Sequence, residues 1–78
     1  MTEYKGFGKR LKVIRADGEI ITLEDGSKWQ VSDLMDRPVE FNPGDIVIIS
    51  QGAAVNPKIC KINNLTQNRE LTAVLVHP

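Results

Sequence analysis

Cysteine, histidine, aromatic residues and net charge are all scarce in this chain, and each shortage removes a class of protein. Its one cysteine, Cys60, cannot close an intrachain disulfide and leaves no second thiol for zinc, which excludes the stapled scaffold of many small secreted domains. Its one histidine, His77, stands one residue from the end of the sequence, where a frayed side chain is expected. No Ser/His/Asp or Cys/His nucleophile arrangement can be built around it. Ten Lys and Arg balance ten Asp and Glu, so no global field draws the chain to nucleic acid or anionic lipid. No apolar run is longer than Ile46 to Ile49, far short of the roughly 20 residues of a membrane-spanning helix.

What is present fits one small globular domain, residues 1–78, which buries roughly 60% of its unfolded surface and so has a thin core. Apolar residues make up 41% of the chain and charged ones 26%, a balance that argues against disorder. The segment Met1 to Gly6 has no apolar targeting core, so a cytoplasmic location is expected; the alternative is an exported or periplasmic chain whose leader has been removed.

Nothing in the chain repeats an apolar residue at helical spacing. Gly and Pro fall between apolar runs, which is the punctuation of strands and turns. Leu11, Val13, Ile21, Leu23, Trp29 and Val31 are all odd-numbered. Three-residue connections at Ala16-Asp17-Gly18 and Glu24-Asp25-Gly26 would set Val13 against Ile21, Leu11 against Leu23 and Ile21 against Trp29, with every one of these side chains on one face. The same register predicts cross-strand ion pairs Arg10–Glu24 and Arg15–Glu19. A three-stranded meander results.

Residues 33–42 break the alternation and carry three acids, so they read as an excursion loop with Val39 and Phe41 dipping toward the core. Asn42-Pro43-Gly44-Asp45 fits a type II turn. Asp45 to Ser50 is apolar on both faces, as a central or closing strand would be. Gln51-Gly52 and Asn56-Pro57 bound a loop, Lys58–Asn63 is a fifth strand, Asn64–Arg69 a turn and Glu70–His77 a sixth. The fold class is therefore all-β: a small antiparallel barrel of five to six strands, SH3-like, with an OB-like barrel as the alternative.

Leu23-Glu24-Asp25-Gly26-Ser27 with Trp29 close behind, Phe41 before Gly44-Asp45, then Lys61-Ile62-Asn63 and a last strand containing Ala73, form a pattern that resembles a group of short bacterial β-barrel proteins of unassigned function. The resemblance spans residues 19–76 and rests on turn and core residues, so it implies a barrel and no chemistry; members of the group often look exported. Phe41 stands where the group has Trp, and Asn68 where it has a turn glycine, which leaves the last hairpin open. A weaker likeness is to bacterial translation initiation factor one, an OB barrel, but that factor presents a basic surface to RNA and the middle of this chain is acidic.

Charge is segregated although it sums to zero. Residues 1–15 hold five bases and one acid, net +4; residues 16–45 hold eight acids and two bases, net −6; residues 46–78 are net +2. A basic strand could contact phosphate, yet the register assigns Arg10 and Arg15 to glutamates, so a paired or solvated face is the plainer reading. Trp29 is expected inside, while Tyr4 and Phe7 could cap the barrel end or line a partner groove. Asp33, Asp36, Glu40 and Asp45 frame the excursion loop without the tight alternate spacing of a calcium loop, and Gly6-Phe7-Gly8 lacks the third glycine of a phosphate cradle.

Neither enzymatic activity, nor a cofactor, nor a metal site is expected. The surface residues that could bind something are Tyr4, Phe7, Lys9, Lys12, Lys28, Asp33, Asp36 and Arg37. The expected function is a protein-interaction or adaptor module that uses the excursion loop or an exposed edge strand to bind a protein partner or to self-associate. The alternative is an OB-like single-stranded nucleic-acid binder using Lys5, Lys9, Lys12 and Lys28 with Tyr4 or Phe7; a hydrolase or lectin-like pocket around the loop acids comes third.

Overall fold

Alternation carries through into the tertiary structure: Leu11, Val13, Ile21, Leu23, Trp29 and Val31 are all buried, the last five completely. The structure, a computed structural model, describes residues 4–52 and 59–77. Six strands, β1 (Arg10–Asp17), β2 (Ile20–Leu23), β3 (Lys28–Ser32), β4 (Ile46–Gln51), β5 (Ile59–Asn64) and β6 (Arg69–His77), pair antiparallel in the closed order β1-β2-β3-β6-β5-β4. Two three-stranded meanders thus meet along the β1–β4 and β3–β6 seams. The described residues contain no helix, and the barrel is compatible with both the SH3-like and the OB-like kinds. Asn56-Pro57 and Lys58, assigned above to a loop and the start of β5, lie outside the described residues.

The first hairpin differs from the sequence expectation. Its connection is the two residues Gly18 and Glu19, with Asp17 opposite Ile20 and Ala16 opposite Ile21. Gly18 supplies the positive φ of 60° that the first position of such a turn demands. A two-residue turn alone would set odd residues against even ones. A bulge at Ile14 restores the parity, so that Val13 faces Leu23, and it ejects Ile14 into solvent. The predicted ion pairs go with the old register. Arg10 lies opposite Ile48 of β4, Glu24 bonds the backbone of Lys12, and Arg15 pairs with Asp17 at 2.7 Å. The second hairpin does follow the expected register, with Ile21 opposite Trp29 and the Leu23 amide bonded to the Ser27 carbonyl.

Other expectations hold. The Asp45 amide donates to the Asn42 carbonyl at 3.0 Å across a turn in which Gly44 has φ 99°. Phe41 is buried and Val39 packs against the core from the loop. The last hairpin forms with Asn68 itself left-handed at φ 54°, which an asparagine tolerates better than most residues. His77 is not frayed: it closes β6 opposite Lys28. A second bulge, at Val76, lets Trp29 face Leu75 beside that pair.

Trp29 is the largest fully buried side chain and its indole nitrogen donates to Ser27 Oγ at 2.9 Å. Truncating it to alanine is expected to cost about 3–5 kcal/mol, whereas Ile14→Thr, at the solvent-facing bulge, should stay within about 0.5 kcal/mol of the parent. Urea unfolding of the two variants measures both.

Candidate functional site

Leaving β3, the chain must cross the barrel end before β4 can begin, and three buried or half-buried anchors decide how it does so. The first is Asp33. Its side chain is 3% exposed and accepts hydrogen bonds from the Met35 amide at 2.7 Å, from Arg37 Nε at 2.8 Å and from Arg69 Nη2. Arg69, at the start of β6, also donates to the Pro38 carbonyl at 2.9 Å. These donors, Arg69 foremost, hold the Asp33 carboxyl at a pKa of about 2, below its usual 3.8. Phe41 is the second anchor. The third is Asp45, also buried, whose Oδ2 accepts from Asn64 Nδ2 at 2.9 Å, Gln67 Nε2 at 2.8 Å and the Asn42 amide at 3.2 Å. Burial raises the pKa of this carboxyl, but the three donors outweigh it and the net shift is downward.

Between the first two anchors the loop projects a turn. The Asp36 amide donates to the Asp33 carbonyl at 3.1 Å, and Asp36 sits in the left-handed region at φ 55°. The turn's central residues, Leu34 and Met35, are 89% and 76% exposed, the most exposed of the large apolar side chains described. The Met35 and Asp36 amides, Arg37 beside the turn and Arg69 from β6 are all committed to Asp33, so the apolar pair stands on a fixed base. Beside it runs an open, largely polar groove of about 230 Å³ bordered by Glu19, Ser32, Asp36 and Val39. Asp33 and Arg37 neutralise each other there, while Glu19, Asp36 and Glu40 have no cation within ion-pair distance among the described residues.

At the opposite barrel end the aromatic residues form a cap. The Tyr4 ring meets Phe7 and Trp29 edge to face at 5.1 and 5.0 Å between centroids, and its hydroxyl donates to Asp25 Oδ2 at 2.7 Å. Burial, followed by the hydrogen bond to Asp25 and then its charge, pushes the Tyr4 hydroxyl up to about 12. Asp25 Oδ1 accepts from the Ser27 amide and hydroxyl, and these bonds with that of Tyr4 overcome its burial and lower its pKa. Tyr4 and Phe7 are half-buried, Phe41 is 7% exposed and Trp29 is wholly covered, so no ring lies open for a base to stack on among the described residues. Cys60 is a buried core residue whose thiol pKa burial raises, the reverse of what a reactive thiolate needs.

The expected surface residues therefore part company. Asp33, Asp36 and Arg37 do come together, but Asp33 is a buried fastener rather than a docking residue. Lys12 and Arg10 lie exposed along β1 with Lys9 exposed just before it, and Lys28 is separate, on β3. None of these four bases has a carboxylate within ion-pair distance among the described residues, so the β1 bases are less neutralised than the expected pairing with Glu24 implied. Leu34 and Met35 were missed in the sequence; two apolar residues bracketed by Asp33 and Asp36 in a stretch that abandons alternation were the available signal. Among the described residues no group of three His, Cys, Asp or Glu is placed to hold a metal ion, and no helix is long and apolar enough to cross a membrane. Comparison with protein-family models, curated proteins and solved structures gave no match.

An aspartate that binds its proton less readily folded than unfolded stabilises the fold above its unfolded pKa, and that stabilisation drains away as the pH falls from 3.8 to about 2. Asp33→Asn should flatten the stability profile in that window while lowering stability at neutral pH, as followed by thermal melts from pH 7 downward. Asp36→Gly, which relieves a left-handed backbone, should stabilise by up to about 1 kcal/mol in the same assay.

Proposed function

We propose that this chain is a non-catalytic protein-interaction module whose contact element is the excursion loop. The observation that carries this reading is the Leu34–Met35 tip: two adjacent large apolar side chains, nearly fully exposed, on a turn fastened by a buried carboxylate and two arginines. Adjacent large apolar side chains held away from the core offer area that only a partner can bury, and a fixed base reduces the ordering entropy that a free loop would lose on association. Barrel closure narrows the alternatives. Every strand has two hydrogen-bonded neighbours, so the edge-strand route to a partner has no unpaired strand to use. Two of the four carboxylates that frame the loop, Asp33 and Asp45, already serve as backbone and side-chain acceptors, a structural role that supports a non-catalytic reading.

The second reading, single-stranded nucleic-acid binding, draws support from Lys9 before β1 and Arg10 and Lys12 on it, which have no carboxylate within ion-pair distance among the described residues, and is opposed by the burial of the rings. Installing a photo-crosslinking amino acid at position 34, with position 30 on the β3 outer face as control, separates the two. In cells producing the chain, position 34 is expected to capture defined proteins, identified by mass spectrometry, and position 30 none. Saturable binding of DNA or RNA oligonucleotides at about 50 mM salt, mapping to β1, together with no protein capture from position 34, would replace this reading with the nucleic-acid one.

A further inference from the structure

The tip of the excursion loop has an acidic surround, and another part of the same molecule matches it in both polarity and charge. Glu19 and Asp36 beside the turn, and Glu40 further along the loop, have no cation within ion-pair distance among the described residues; Asp33 with Arg37 and Arg69 sums to +1, which leaves the loop and its groove net −2. Such a tip is repelled by anionic lipid and favours an apolar surface with a basic rim.

The outer wall along the β1–β4 seam has that composition. Val47 and Ile49 point inward, so alternation turns Ile46 and Ile48 outward, where both remain half-exposed. Lys12 lies directly opposite Ile46 and Arg10 opposite Ile48, and Lys9 precedes them. Ile14, ejected by the bulge, extends the apolar strip at 53% exposure. Glu24 also approaches the strip, its carboxylate turned onto the Lys12 amide at 3.2 Å. Two bases, Arg10 and Lys12, therefore face solvent over an isoleucine floor, with the exposed Lys9 at the end of the strip just before β1. The other exposed apolar wall, Ile59, Val74 and Val76, is flanked by Lys28 on β3 and by Lys61 on β5, and Lys61 already pairs with Glu70 at 3.8 Å, so charge favours the β1–β4 strip.

We infer that the occupant of the strip is the loop tip of a second copy of this chain, Leu34 and Met35 seating on Ile46 and Ile48 while Asp36 and Glu19 meet Lys9, Arg10 and Lys12. The inference rests on the reading that the tip is the contact element and adds the identity of the partner. It also accounts for a chain of net charge zero whose first fifteen residues are net +4 and next thirty net −6, since opposite fields on one molecule steer copies together head to tail. If a twofold axis satisfies both contacts at once the assembly closes as a dimer; if not, it grows as a chain.

Sedimentation equilibrium of the full chain, from about 10 μM to about 1 mM at about 50 mM salt, tests this. Reversible association is expected, weakening at least about tenfold in Leu34→Ser/Met35→Ser, in Lys9→Glu/Arg10→Glu/Lys12→Glu and in the parent at about 0.5 M salt. All five side chains are exposed, so both variants should keep the parent's melting temperature within a few degrees, and the melt is the control for folding. Mixing the two variants pairs an intact tip with an intact strip and should restore a 1:1 species that neither forms alone. A parent that is monomeric across the whole range, or association that survives the strip reversal, overturns the inference. Should position 34 crosslink a foreign protein while the parent stays monomeric, the interaction reading stands and the second copy is excluded; should it crosslink no protein, both fall.

Discussion

The interior of this barrel is a single row of side chains from each strand, and keeping that row inward is the constraint to which the connections yield. The described core has one tryptophan and ten aliphatic residues with which to oppose the conformational entropy of folding, so a one-residue slip in any pairing would forfeit a large part of its stabilisation. The first hairpin shows what gives way. Its tight glycine-led turn favours one register and the core demands the other; the bulge at Ile14 reconciles them by leaving one residue unpaired. The same device recurs at Val76, opposite the Lys28–Trp29 step. Both bulges expel a β-branched apolar residue, and each adds twist to a strand that has to bend round a narrow barrel.

Three carboxylates do for the connections what the apolar row does for the strands. Asp25, Asp33 and Asp45 each stand at a turn and accept hydrogen bonds both from a nearby backbone amide and from a side chain distant in sequence: Tyr4, Arg69 and Asn64 respectively. Local bonds shape the turn, and the distant one ties it to the barrel. In all three the donors outweigh the cost of burial and depress the carboxyl pKa, so the charge is part of the fastening rather than a reserve for catalysis. The excursion loop owes its rigidity to two of them, and its exposed apolar tip is a consequence of where they hold the chain.

Zero net charge conceals an arrangement with direction. Acids surround the excursion loop and the β1–β2 turn, and unneutralised bases line the beginning of β1. Interaction through the loop is consistent with closure of the sheet, since a barrel with every strand paired offers a partner only its walls and its loops. The half-apolar, basic wall strip and the apolar, acidic loop are the two surfaces on which the proposed contact with a second copy rests.

The strand count, the inward set from Leu11 to Val31, the buried tryptophan, the Asn42–Asp45 turn and the dip of Phe41 were legible in the sequence. They follow from period-two alternation and turn chemistry, which act between residues close in the chain. Hidden from it were the bulge at Ile14, the partnering of Arg10 with β4 instead of β2, the use of Arg69 to fasten Asp33 across thirty-six positions, and with that fastening the exposure of Leu34 and Met35. Each of these depends on which strands become neighbours when the sheet closes. Closure is a global condition on six strands together, met only when the β1–β4 and β3–β6 seams form, and no local pattern of residues encodes it.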